Sequence, residues 1–185
     1  MKPVVTMKTG FLFRLCKSSS SNAELCLNSS LDNLILGVAM TVKNDAVEKF
    51  RSGFNCAQAI FSTYSKQFGL DPKLALLLTT AFGGGIARSG DLCGAVTGAL
   101  MVIGLKHGKS ISDDEDAKEL TYALALDLID SFKVKYGTIK CRELMGCDLS
   151  TEEGRQYARE HELSKNLCPS FVEYAAEMIE NILEL

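Results

Sequence analysis

The sequence predicts an all-α protein, a compact helical bundle around one buried central helix at about residues 92–106. Three observations carry that reading. From Met40 onward no stretch alternates apolar and polar residues long enough to make a strand. Apolar residues recur instead at three- and four-residue spacing between recognisable caps. One segment, 93–105, is apolar nearly all round, which suits a helix enclosed by others.

Residues 1–40 stand apart. They contain Ser18-Ser19-Ser20-Ser21 and Ser29-Ser30 and no sustained helical period. Such a stretch buries too little apolar surface to offset the entropy of ordering it. The expected division is a disordered or overextended N-terminal segment over 1–40, with Met40 as the natural start, and a single helical domain over 41–185 that carries the cysteine motifs. A targeting segment is the competing reading of residues 1–40.

The elements of the second part follow in order. Gly53-Phe54-Asn55 supplies a breaker and an N-cap before Ala57, Ala59, Ile60 and Phe61. Asp71-Pro72 pairs an N-cap with proline at the first helical position. Leu74, Leu77, Leu78, Ala81 and Phe82 then follow at helical spacing. Gly83-Gly84-Gly85 stops that helix, because glycine accepts the left-handed cap conformation. The central helix carries Gly94 and Gly98 four apart beside Ala95, small residues that let another helix come close. Ser112 precedes Asp113-Asp114-Glu115-Asp116, acids suited to the positive end of a helix running through Leu120, Leu124, Leu128 and Phe132. That helix ends near Lys133, Lys135 and Gly137. Cys141-Arg142-Glu143-Leu144 reads as a short helix, and Ser150 with Glu153 as a capping box. The last helix is expected to begin after Cys168-Pro169, with Phe171, Ala175, Met178, Ile179 and Ile182 facing inward.

Composition narrows the function classes. A chain of 185 residues, 46% hydrophobic, builds its own core, and a formal net charge of −3 gives no basic excess for nucleic acid. The longest apolar run, Ala95 to Leu105 with Thr97 inside it, falls well short of the ~20 residues of a membrane span. No charged start, apolar region and small-residue cleavage site follow one another at the N-terminus. The expected setting is cytoplasmic, with no nucleic-acid partner and no membrane span. Seven cysteines are the unusual feature: Cys16, Cys26, Cys56, Cys93, Cys141, Cys147 and Cys168, beside two histidines, His107 and His161. A secreted disulfide scaffold is usually shorter and poorer in core residues, so these cysteines are expected to react or to bind something in a reducing compartment.

Four of them, Cys56, Cys93, Cys141 and Cys168, sit where helices are expected to start. A helix N-terminus offers free N–H groups and about half a positive charge, which favour thiolate over thiol. Around Cys93 the three glycines permit close backbone approach and Arg88 adds a cation. The plain alternative is that these are small buried hydrophobes. Other motifs fail. Gly104-x-x-x-Gly108-Lys109-Ser110 is one residue short of a phosphate loop and follows a helix, where that loop needs a strand. Gly83-x-Gly85-x-x-Arg88 lacks the third glycine of a dinucleotide fingerprint. No Cys-x-x-Cys is present, which removes thioredoxin-type motifs and zinc knuckles.

The run Asn55-Cys56-Ala57-Gln58-Ala59, then Gly83-Gly84-Gly85-Ile86, then Cys93-Gly94-Ala95-Val96-Thr97-Gly98, then Cys141-Arg142-Glu143-Leu144, then Cys168 resembles the C_GCAxxG_C_C family of small bacterial and archaeal proteins, described as redox-active. The resemblance covers about residues 41–183. It implies that Cys56, Cys93, Cys141 and Cys168 are the four characteristic cysteines. Residues 1–40 have no counterpart in it, and Cys147 is a fifth cysteine within the matching region.

The leading expectation is redox chemistry of cysteine thiols, by thiol–disulfide exchange or electron transfer, with a redox partner of unknown identity. Cys93 is the expected nucleophile, Cys56 the resolving thiol, and Cys141 and Cys168 a second pair or relay. The alternative is that the same four, Cys56, Cys93, Cys141 and Cys168, ligate an iron–sulfur cluster or another soft metal. A third reading is a helical interaction module with cysteines as core fillers. Convergence of the four sulfurs in space is the observation that weighs most.

Overall fold

A computed structural model describes residues 42–184. The N-terminal segment, with Cys16 and Cys26 and the division expected at residue 40, lies outside the described residues. Within them the chain is all-α. Its helices are α1 (Val42–Arg51), α2 (Cys56–Tyr64), α3 (Pro72–Thr79), α4 (Gly94–His107), α5 (Glu115–Tyr136), α6 (Cys141–Met145), α7 (Glu152–Glu160) and α8 (Leu163–Leu183), with 3-10 turns at Ser65–Phe68 and Thr80–Phe82.

The apolar segment forms α4, and it is central as expected. It packs against α2, α5 and α8, and every residue from Gly94 to Ala99 is buried, as are Val102 and Ile103. Gly94 and Gly98 do what small residues at that spacing allow. A Cβ on Gly98 would stand 3.0 Å from both the Ala57 carbonyl oxygen and the Ile60 Cβ, and one on Gly94 would stand 2.9 Å from the Phe82 carbonyl oxygen. Helix α2 therefore lies against the bare backbone of α4. Around them Ile60, Tyr64, Leu128, Phe132, Val172 and Ile179 fill the core, each fully buried.

Several element boundaries differ from expectation. Helix α8 begins at Leu163, so Pro169 lies inside it and Cys168 is its sixth residue. A proline cannot donate to the helical ladder, yet Leu163, Leu167 and Phe171 all pack on the core at four-residue spacing, which carries the helix through it. The cap of α7 is Thr151, whose hydroxyl accepts from the Gly154 N–H at 3.0 Å. Ser150 is taken by Asp148, which accepts from its hydroxyl at 2.7 Å and from its backbone N–H at 2.9 Å, so no capping box forms there. Asp114 rather than Ser112 caps α5, accepting from Ala117 N–H at 3.0 Å. Helix α3 turns Ala75 and Thr79 inward and leaves Leu74, Leu77 and Leu78 exposed. Five of its residues in a row, Leu74 to Leu78, are apolar, so periodicity could not choose the face.

Candidate functional site

The site is built from four elements. Asn55 caps α2 by accepting from the Gln58 N–H at 2.9 Å, while Gln58 Oε1 accepts from the Asn55 N–H at 3.1 Å, a capping box. The same two side chains reach across to the end of α3. Asn55 Nδ2 donates to the Thr80 carbonyl at 3.1 Å, and Gln58 Nε2 donates to the Leu76 carbonyl at 3.0 Å. Cys56 is thereby held at the first position of α2 and close to α3. Gln58 was legible as the third residue after an Asn cap, but only as a cap.

Cys93 and Cys141 flank an isolated antiparallel bridge between Leu92 and Lys140, one on either side of it. Cys93 N–H donates to Ile139 at 2.8 Å, Cys141 N–H to Asp91 at 2.6 Å and Arg142 N–H to Gly90 at 2.9 Å. A bridge this short leaves no alternation for a sequence to show. The loop leading into it is unusual. Gly84, Gly85, Ile86, Ala87 and Arg88 are all left-handed, with φ of 65°, 72°, 65°, 50° and 66°. For the three that are not glycine this costs about 1–3 kcal/mol each. The loop is over-determined by hydrogen bonds from Ala87 N–H to Ala81 at 2.7 Å and from Asp91 N–H to Gly85 at 3.0 Å. The Arg142 guanidinium also donates to the carbonyls of Ser89 and Gly90. Gly85 could be nothing else: besides its positive φ, a Cβ there would stand 2.6 Å from the Cys141 Cβ.

Cys168 enters from α8. Its Sγ lies 3.7 Å from the Met145 Sδ and donates to it when protonated. The four cysteines line one cavity of about 590 Å³ with Phe54, Met145, Ser164 and Phe171 among its walls. All are free thiols and all are nearly enclosed, Cys93 at 3% exposure and the other three at 7–9%. Cys147 is also a free thiol, half-buried, and does not line the cavity. Arg88, expected beside Cys93, is exposed and lines a neighbouring cleft instead.

Electrostatics divides the cysteines. Burial pushes the Cys93 thiol up to about 11, against the N–H groups of Ala95 and Val96, which pull it down. The helix start thus acts as expected on Cys93, and desolvation is the larger effect. Burial also pushes Cys141 up to about 12, helped by the other thiols. The thiols of Cys56 and Cys168 act on each other, and the interaction splits them. Cys56 keeps the proton, raised well above the usual thiol range by that interaction and by burial. Cys168 is the more acidic of the two, its thiol lowered by the interaction with Cys56 against its own burial, with further help from Ser164. The lowest thiol of the cavity is therefore the one inside a helix, where no terminal N–H groups reach it. Among the described residues no three His, Cys, Asp or Glu side chains stand together in an arrangement that could hold a metal ion.

Fold and site together define an all-α protein with four free cysteines lining one cavity. Residues 54–182 match the family model described as "Putative redox-active protein (C_GCAxxG_C_C)", and the chain belongs to that family. No curated protein and no solved structure matches the chain. The family description carries a general redox role. No helix among the described residues is long and apolar enough to cross a membrane.

Proposed function

We propose that the protein carries out thiol–disulfide exchange through Cys56, Cys93, Cys141 and Cys168. The observation behind this is their convergence: four cysteines from four separate elements line one cavity, all as free thiols. Thiol chemistry needs a thiolate, a partner sulfur within reach and shelter from side reactions. Cys168 has the lowered thiol and Cys56 interacts with it. Cys168 attacks, and Cys56 resolves the mixed disulfide. Cys93 and Cys141, which flank the Leu92–Lys140 bridge, are the second pair. A soft-metal site on the same four sulfurs has the right donor count, but the arrangement of the side chains gives it no support.

The test is to oxidise the reduced protein with limiting hydroxyethyl disulfide and map the product by mass spectrometry. A Cys56–Cys168 disulfide is expected first, and Cys168→Ser is expected to abolish the reaction. Protein purified anaerobically with stoichiometric iron or zinc, and thiols inert until the metal is removed, would sink the exchange reading.

A further inference from the structure

The cleft that holds Arg88 adjoins the cysteine cavity. It measures about 920 Å³, and Asn55, Gly84, Leu149, Ala158, Ser164 and Lys165 line both spaces. Its volume is in the range of small-molecule sites rather than of flat protein contacts. Its walls are cationic: Arg88, Arg155, Arg159 and Lys165 line it with one acid, Glu162. Three of the cations are engaged, Arg155 and Arg159 with Glu152 at 2.7 and 2.8 Å and Lys165 with Glu162 at 2.5 Å. Arg88 is not. Its guanidinium has neither an ion pair nor a hydrogen bond among the described residues, although the backbone beneath it is held left-handed at φ 66°. An unpaired guanidinium on a rigid turn has five N–H donors ready for a carboxylate.

Ser164 decides where such a ligand would lead. It lines both spaces and stands one helical turn before Cys168 on α8, which lines the cysteine cavity too. We infer that this cleft seats the acidic groups of a small, carboxylate-bearing disulfide, with Arg88 as its anchor and its sulfur–sulfur bond directed past Ser164 to Cys168. This rests on the exchange reading and names the class of its substrate. The step balances. Cys168 thiolate attacks one sulfur of RS–SR, a Cys168–SR bond forms and RS⁻ leaves. Cys56 gives its proton to RS⁻ and attacks the Cys168 sulfur, which releases the second RS⁻ to take up, through solvent, the proton that Cys168 gave up on ionising. Two thiols become one disulfide, and the small disulfide gains two electrons and becomes two thiols.

Two readouts separate this inference from the reading beneath it. The first is equilibrium binding of S-methylglutathione, an anionic thioether that cannot exchange, to the reduced full chain. The wild-type protein is expected to bind it. Arg88→Gln is expected to weaken binding about tenfold, the loss of one charge-assisted contact, and Arg88→Lys to keep most of it. The second is the ratio of oxidation rates by oxidised glutathione and by neutral hydroxyethyl disulfide, which should fall about tenfold in Arg88→Gln, while cationic cystamine should react slowest with the wild type. No binding by the wild type, or equal binding by Arg88→Gln, overturns the anion site even if both disulfides react. Binding that depends on Arg88 with no reaction of either disulfide keeps the anion site and removes the exchange.

Discussion

Selective alkylation at pH 8 is expected to leave Cys93 and Cys141 largely unmodified while Cys168 reacts. An ordinary thiol with a value of 9.0 is about 10% thiolate at that pH, whereas Cys93, pushed up to about 11, is about 0.1% thiolate, a hundredfold less. Cys141, at about 12, has about a thousandfold less. The scarce thiolate of a weaker acid is more nucleophilic. At a Brønsted coefficient of ~0.5 that returns about tenfold for Cys93 and about thirtyfold for Cys141. Both are left roughly ten- to thirtyfold slower than an ordinary thiol before burial is counted, and Cys93 is also the least exposed of the four. Cys168, with its thiol lowered, moves the other way. The assay is a time course with iodoacetamide on the reduced native protein, quenched in acid and read by peptide mass spectrometry, with the unfolded chain as the reference rate. Cys93 alkylating at or above the rate of Cys168 would refute the reasoning. It would mean that the N–H groups of Ala95 and Val96 outweigh desolvation.

Alkaline stability follows from the same shift. The folded protein holds the Cys93 proton up to about pH 11 and the unfolded chain releases it near 9.0, so stability is full below pH 9 and falls by up to about 3 kcal/mol as pH rises to 11. Urea titrations at pH 8 and 10.5 should show it, and Cys93→Ala should flatten part of the slope. Gly94→Ala should destabilise by about 1–3 kcal/mol, because its Cβ would stand 2.9 Å from the Phe82 carbonyl. In the same helix Gly104→Ala meets nothing within 4 Å and should stabilise by up to about 1 kcal/mol. Thermal melts of the pair check both, and two substitutions of the same sign would count against the close packing of α2 on α4.

What could be read from the sequence was whatever local chemistry decides. The all-α class, the central α4, the Gly137 stop and the close approach at Gly94 and Gly98 depend on periodicity, caps and side-chain size. The family and its four cysteines were carried by the motifs themselves. What could not be read depends on contacts between distant residues. Cys168 reads as a helix start because Pro169 follows it, and only the packing of Leu163 and Leu167 extends the helix upstream. Arg88 reads as a neighbour of Cys93 five residues away, but the left-handed turn faces it into another cleft. The Leu92–Lys140 bridge joins two loops almost fifty residues apart and has no local signature. A helix start predicts a lowered thiol at Cys93, and the opposing desolvation becomes visible only once the core around it is known.

The two pairs of thiols are unequal, and the inequality gives the proposed exchange a direction. A thiolate is needed to attack, and of the cavity's thiols only Cys168 is lowered from its ordinary value, because one proton shared between two sulfurs leaves the second charge stabilised. Cys93 and Cys141 sit in the same cavity but keep their protons. Electrons therefore leave first from Cys168 and Cys56. The resulting disulfide removes the interaction that set Cys56 and Cys168 apart, and it removes one of the charges that raise Cys141. The second pair becomes easier to ionise only after the first is spent. Oxidation would also tie the start of α2 to the second turn of α8, two helices that both pack on α4. Oxidation of this cavity would thus cross-link two helices of the bundle, and the left-handed turn over Cys141, with Gly85 seated on its Cβ, lies on the side of the cavity where the reserve thiols are.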